Sequence, residues 1–182
     1  MKLILDAGHG GNDPGAVAAA TEEEDLNLDL ALELQSIFAA RHPDWELTMT
    51  RVDDNYMSPS DRRLMCIALC PDAFISLHCN SSDNPAANGC EVVFRDWIDR
   101  TLATEVQIKL VSALGLRDRG LKMDVEDLGR KLAVLSTPGI ASIIIEPGFI
   151  SNSGDLALLV QKNLVARAIV EGIEAWAAKY KV

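Results

Sequence analysis

The stretch Leu3-Ile4-Leu5-Asp6-Ala7-Gly8-His9-Gly10-Gly11-Asn12-Asp13-Pro14-Gly15 is a short apolar run that gives way to a glycine-rich loop carrying a histidine. Two later stretches repeat the arrangement: Phe74-Ile75-Ser76-Leu77 is followed by His78, and Ile143-Ile144-Ile145 by Glu146. Each run reads as a buried β-strand. In open α/β sheets the ligand crevice lies beyond the carboxyl ends of the strands. His9, His78 and Glu146, far apart in the chain, can therefore meet at one sheet edge. The acidic run Glu22-Glu23-Glu24-Asp25 opens the helix after the first strand and offers one more oxygen ligand. Catalytic zinc takes nitrogen and oxygen from three protein ligands and keeps a position for water. Two histidines with one or two carboxylates at a sheet edge suggest a zinc hydrolase.

Working outward, the first helix places Leu26, Leu30, Leu34, Ile37 and Phe38 on one face, with Thr21 as its expected N-cap and Glu24 completing a capping box. His42-Pro43-Asp44 stops it, and Trp45–Thr50 reads as a second strand. A helix from Pro59 to about Cys70 precedes the strand Ala73–Leu77. The polar segment Asn80–Gly89 then leads to a strand at Cys90–Phe94 and a helix from about Asp96 to Leu114, ended by Gly115. The charged stretch Arg117–Lys131 reads as a surface loop, Leu132–Leu135 and Ser142–Ile145 as strands, and the remainder as a helical region. Strands alternating with helices predict an α/β fold, a single-domain three-layer sandwich with a largely parallel mixed sheet of about six strands. Residues 1–182 are expected to form one catalytic domain with no separate binding domain.

A chain of 182 residues suits one well-buried domain. Its 17 basic and 27 acidic residues give a formal net charge of −10, which argues against nucleic acid or anionic membranes as partners. The apolar stretch around Ile140–Ile145 is too short to span a bilayer, and no secretory signal opens the chain. The expectation is synthesis in the cytoplasm, no membrane insertion and a monomeric state. Cys66, Cys70, Cys79 and Cys90 form no C-x-x-C pair and are read as reduced, structural thiols.

The glycine-rich loop is no dinucleotide fingerprint, because Asp13 stands where a third glycine is needed and Pro14 interrupts helix entry; a G-K-[ST] sequence is absent too. Its glycines more simply let the backbone bend around His9. His42 belongs to a helix stop and is read as exposed. From local sequence Glu146 reads equally as a general base raised by its apolar approach or as a salt-bridged strand end. The acidic run taken alone is the solvated start of a helix as readily as a ligand.

The motifs taken together resemble the zinc-dependent N-acetylmuramoyl-L-alanine amidases of the amidase-3 type, over essentially the whole chain. The opening Leu5–Gly15 segment is joined in order by Glu23-Glu24-Asp25-Leu26-Asn27-Leu28, Leu47-Thr48-Met49-Thr50-Arg51, Asp61-Arg62, Ser76-Leu77-His78-Cys79-Asn80-Ser81 and Glu146-Pro147-Gly148-Phe149-Ile150-Ser151-Asn152. The resemblance implies that His9, Glu23 and His78 bind Zn2+, with Glu22 or Glu24 as other registers for the carboxylate, and that Glu146 is the catalytic glutamate. It implies peptidoglycan as the partner, cleavage of the amide between N-acetylmuramic acid and L-alanine, and action on the wall after release, as in a phage endolysin or an autolysin. Asn80 is expected to help shield the developing oxyanion. Pro147, Cys79 and Ile67 depart from residues the family often uses. Some members carry an inserted helix that plugs the site; between Gly89 and Arg119 there is sequence for one strand and one helix only, so an open site is expected.

Overall fold

The computed structural model describes residues 1–180. In chain order they form β1 (Lys2–Ala7), the short pair β2 (Val17–Ala18) and β3 (Thr21–Glu22), α1 (Glu23–Arg41), β4 (Glu46–Met49), α2 (Pro59–Leu69), β5 (Ala73–Leu77) and β6 (Cys90–Phe94). They continue with α3 (Trp97–Leu114), β7 (Asp118–Met123), a 3-10 turn at Ala133–Leu135, β8 (Ala141–Glu146), α4 (Ser153–Leu159) and α5 (Lys162–Tyr180).

Six strands form one sheet in the order β4-β1-β5-β8-β6-β7. β4, β1, β5 and β8 are mutually parallel; β6 pairs antiparallel with β8 and parallel with β7. The carboxyl ends of β1, β5 and β8 therefore open on the same edge, and the amino end of β6 meets them there. Strand alternation sorts the side chains. Leu3, Leu5, Ala7, Ile75, Leu77, Ile143 and Ile145 join the core that holds residues of α1, α3 and α5. Ile4, Phe74, Val93 and Ile144 pack on the other face with Cys66 of α2 and with Val134 and Leu135 of the 3-10 turn. The three-layer α/β sandwich and the mixed, mainly parallel six-stranded sheet are as the sequence led us to expect.

Three local expectations differ. Thr21 lies in β3, and α1 begins at Glu23 with Glu22 at the N-cap position and no side-chain cap; its first N–H groups bond instead to loop carbonyls, Glu23 N to Ala16 O (2.9 Å) and Glu24 N to Pro14 O (3.1 Å). Within the supposed loop Arg117–Lys131, Asp118–Met123 is the edge strand β7. Its charges suit an edge, where unpaired backbone must be kept from other chains. Leu132–Leu135 winds into a 3-10 turn rather than a strand. The four cysteines are free thiols, buried at 66, 79 and 90 and exposed at 70.

α3 packs against α5 across Gly172, where an added Cβ would come within 2.6 Å of Val106 Cα. Gly172→Ala is therefore expected to overpack this crossing and destabilise the protein by about 1–3 kcal/mol, read as a lowered denaturant midpoint at unchanged slope. α3, which fills the segment where a plugging helix would be inserted, buries Leu102, Ala103, Val106 and Leu110 in the core.

Candidate metal centre and acid-base site

β1 delivers the glycine-rich loop to the sheet edge, and two arginines hold it there. Arg51 donates from Nε to Ala7 O (3.0 Å) and from one terminal nitrogen to Gly8 O (3.0 Å) and Glu24 O (2.7 Å). Arg62 donates to Ala7 O (2.6 Å) and His9 O (2.6 Å), and pairs with Asp6. Asp6, fully buried, also accepts from Thr50 Oγ1 at 2.7 Å and Ser76 Oγ at 2.6 Å. These bonds hold His9 in the left-handed backbone region (φ 62°), which non-glycine residues seldom occupy. Gly8 has no room for a side chain: a Cβ would collide with the His78 ring and lie 2.7 Å from Leu77 O.

The loop also selects the carboxylate. Since the Ala16 and Pro14 carbonyls receive the first N–H groups of α1, Glu23 is turned toward the histidines. Its Oε1 lies 3.2 Å from His9 Nε2 and 3.0 Å from His78 Nδ1, and accepts from Cys79 N at 2.9 Å. Its Oε2 accepts from Ala16 N at 3.0 Å. The two imidazoles meet edge to face, 4.8 Å apart. The outer nitrogen of His9, Nδ1, is 2.9 Å from Asp13 Oδ2, a contact that orients the ring.

One ligand atom from each of His9, Glu23 and His78 falls within 4.8 Å of the other two, in a grouping able to hold a metal ion. Burial works to raise the Glu23 carboxyl, but hydrogen bonds from His78 and His9 outweigh it and hold it well below the carboxylate range. Burial likewise pulls His9 down, and Glu23 and Asp13 reverse this and lift it to about 9. Two nitrogens and one oxygen converging on one point, with Asp13 behind a ring, are a donor set that fits a catalytic zinc. Glu22 and Glu24 lie outside that grouping.

Glu146 ends β8 at the same edge, and His78 N bonds to the carbonyl of its neighbour Ile145 (3.0 Å). Antiparallel pairing sets Glu91 of β6 directly opposite it. Asn80 joins the two carboxylates, its Nδ2 donating to Glu146 Oε2 (2.7 Å) and Glu91 Oε1 (3.0 Å). Arg119 Nε holds the far oxygen of Glu91 at 2.6 Å. Burial first, then the Glu91 charge, pushes the Glu146 carboxyl well above the usual range. The Asn80 amide expected to face an oxyanion is thus engaged with the two glutamates. A groove lined by Met57, Val93, Leu128, Arg130, Leu132 and Ile144 adjoins His9, His78 and Glu146. His42 stands apart, stacked on Trp45 (3.9 Å) and bonded to Glu174 (2.6 Å).

Sequence reading brought out His9, Glu23, His78 and Glu146 but not their supports Asp6, Asp13 and Glu91. Asp6 and Asp13 flank the glycine loop and carried that signal unread. Glu91 becomes visible only once β6 is known to pair with β8.

Comparison with known proteins agrees with this architecture. Residues 3–175 match the family model Amidase_3, N-acetylmuramoyl-L-alanine amidase. The uncharacterized protein YqiI of Bacillus subtilis is 32% identical over 96% of this chain and 84% of its own length. The N-acetylmuramoyl-L-alanine amidase LytC of the same organism is 29% identical over 93% of this chain, which spans 34% of LytC. Among solved structures, the catalytic domain of CwlV, an N-acetylmuramoyl-L-alanine amidase from Bacillus (Paenibacillus) polymyxa var. colistinus, superposes with a TM-score of 0.88 at 30% identity, covering 97% of this chain and 98% of that one. On fold, motif order and extent of match, the chain belongs to the Amidase_3 family of N-acetylmuramoyl-L-alanine amidases.

Proposed function

We propose that this protein is a zinc-dependent hydrolase of peptidoglycan that cuts the amide between N-acetylmuramic acid and L-alanine. The observation that carries the reading is the meeting of His9, Glu23 and His78 beside a strand-end glutamate held at raised pKa. His9, Glu23 and His78 would hold the ion. When bound, zinc supplies Lewis acidity toward the scissile carbonyl and toward water. Asp13 keeps the His9 ring in the orientation that directs Nε2 inward. Glu146 takes a proton from the attacking water and passes it to the leaving amine nitrogen as the C–N bond breaks. Asn80 steadies the Glu146 carboxylate through one oxygen, and Glu91 keeps its proton affinity high enough for it to serve next as an acid. The substrate would lie along the groove by Leu128, Leu132 and Ile144, the apolar wall excluding water on one side.

No described helix is long and apolar enough to cross a membrane. With a net charge of −10, attraction to anionic wall polymers is absent, so binding rests on groove contacts. Endolysin or autolysin action on the wall, through an open site, is the role we assign to this chemistry.

Asp13→Ala is expected to weaken metal affinity by about 10–100-fold, the usual effect of losing a ligand's supporting partner, measured by competition with a chromophoric zinc chelator. Substrate class is tested by offering intact muropeptides and the corresponding free stem peptides. Cleavage of the muropeptide alone supports the amidase; cleavage within the free peptide would make it a peptidase and overturn the reading.

A further inference from the structure

The groove beside Glu146 is lined by two guanidinium groups, Arg62 and Arg130. Arg62 is spent on Asp6 and on the carbonyls of Ala7, His9 and Met57. The arginines around the groove are likewise engaged: Arg51 on loop carbonyls, Arg95 on Asp124 and Leu132 O, Arg119 on Glu91. Arg130 alone of these five makes no side-chain hydrogen bond or ion pair among the described residues, while its charge reaches Glu146.

Its segment is held in shape. Between β7 and the 3-10 turn, the fully buried Asp124 is paired with Arg95 and accepts from Leu132 N (2.9 Å). Arg130 N bonds to Asp124 O (3.1 Å), and Asp127 closes the start of the loop through Met123 N (2.6 Å). The loop thus presents Leu128 and Arg130 together to the groove, an apolar contact beside an unspent cation. A planar guanidinium is suited to a carboxylate, and in a chain of net charge −10 an unpaired one on the substrate path is the exception.

We infer that Arg130 is a specificity-determining residue that binds a free carboxylate on the peptide leaving the active site. The inference rests on the amidase reading and deepens it. The carboxylate can belong to the second stem residue or to a third residue that carries a free carboxyl, and amidation of each position separates the two sources.

The test uses N-acetylmuramoyl pentapeptides with every carboxyl free, amidated at the second residue, or amidated at the third. Wild type should favour the free acid, and the amidation that raises KM about tenfold, the low end for a charge-assisted hydrogen bond, marks the contacted carboxylate. Arg130→Ala should raise KM for the free acid by a similar factor with kcat within about twofold and should erase the difference between acid and amide. Arg130→Lys should restore part of it, and Arg130→Glu should reverse the preference. Thermal melting confirms that each variant is folded. Equal KM of the wild type for all three substrates, or an Arg130→Ala variant whose KM for the free acid matches that of the wild type, overturns the inference and leaves the amidase intact. Failure of wild type to cleave any of them removes the amidase reading and this inference with it.

Discussion

Replacing Glu146 by alanine is expected to leave bound zinc unchanged and lower turnover at least ~10²-fold, the low end for losing a general base. Elemental analysis and a muropeptide assay on the same preparation check both halves. The carboxylate touches neither His9, Glu23 nor His78 through a hydrogen bond, so its loss spares the grouping able to hold metal. Glu146→Gln adds a pH signature. The folded carboxyl has its affinity for a proton raised by burial and by Glu91. A raised pKa contributes stability while the group is protonated and loses it as pH rises through the folded value. A permanently neutral glutamine escapes that loss. Glu146→Gln should therefore melt a few degrees higher than wild type at alkaline pH, with the gap narrowing as pH falls from the raised folded value, about 8, toward the ordinary carboxylate value. Retained turnover in either variant would remove Glu146 from its assigned role.

Arg62→Ala is expected to be the most destabilising single change, by about 3–5 kcal/mol, since it leaves Asp6 as an uncompensated buried charge. The side chain of Asp6 is 0% exposed and that of Arg62 4%. Loss of Arg62 also frees the His9 carbonyl and leaves the Ala7 carbonyl to Arg51 alone, which loosens the left-handed turn at His9. Denaturant titration with zinc and with chelator separates the two contributions: the charge penalty persists without metal, and the damage to His9 shows as weaker zinc binding. Joint replacement, Asp6→Asn with Arg62→Gln, should lose less than Arg62→Ala alone. A loss under about 1 kcal/mol, the scale of an exposed pair, would contradict the buried pair's place in the site.

His9, His78 and Glu146 were legible because each ends an apolar run, and a parallel sheet sends all such ends to one edge. Glu23 was less so. Three successive glutamates begin α1, and the chain alone does not say which faces inward; the loop carbonyls of Pro14 and Ala16 decide it by capping the helix from outside. β7 escaped notice because Asp118, Arg119 and Lys122 make it charged, as an edge strand tolerates, and its pairing with β6 is nonlocal. The Leu132–Leu135 run is short and apolar, a pattern that strand and helical turn share. Glu91 depended wholly on strand register: its partner Glu146 is 55 residues away in number and directly opposite in space.

The most direct measurement is digestion of purified sacculi by the full chain, with products identified by mass spectrometry and zinc content determined in parallel. The amidase reading expects stem peptides beginning with L-alanine and glycan strands freed of peptide, abolished by chelator and restored by zinc. Bound zinc with intact muramoyl-alanine linkages, or cleavage indifferent to chelation, would contradict it.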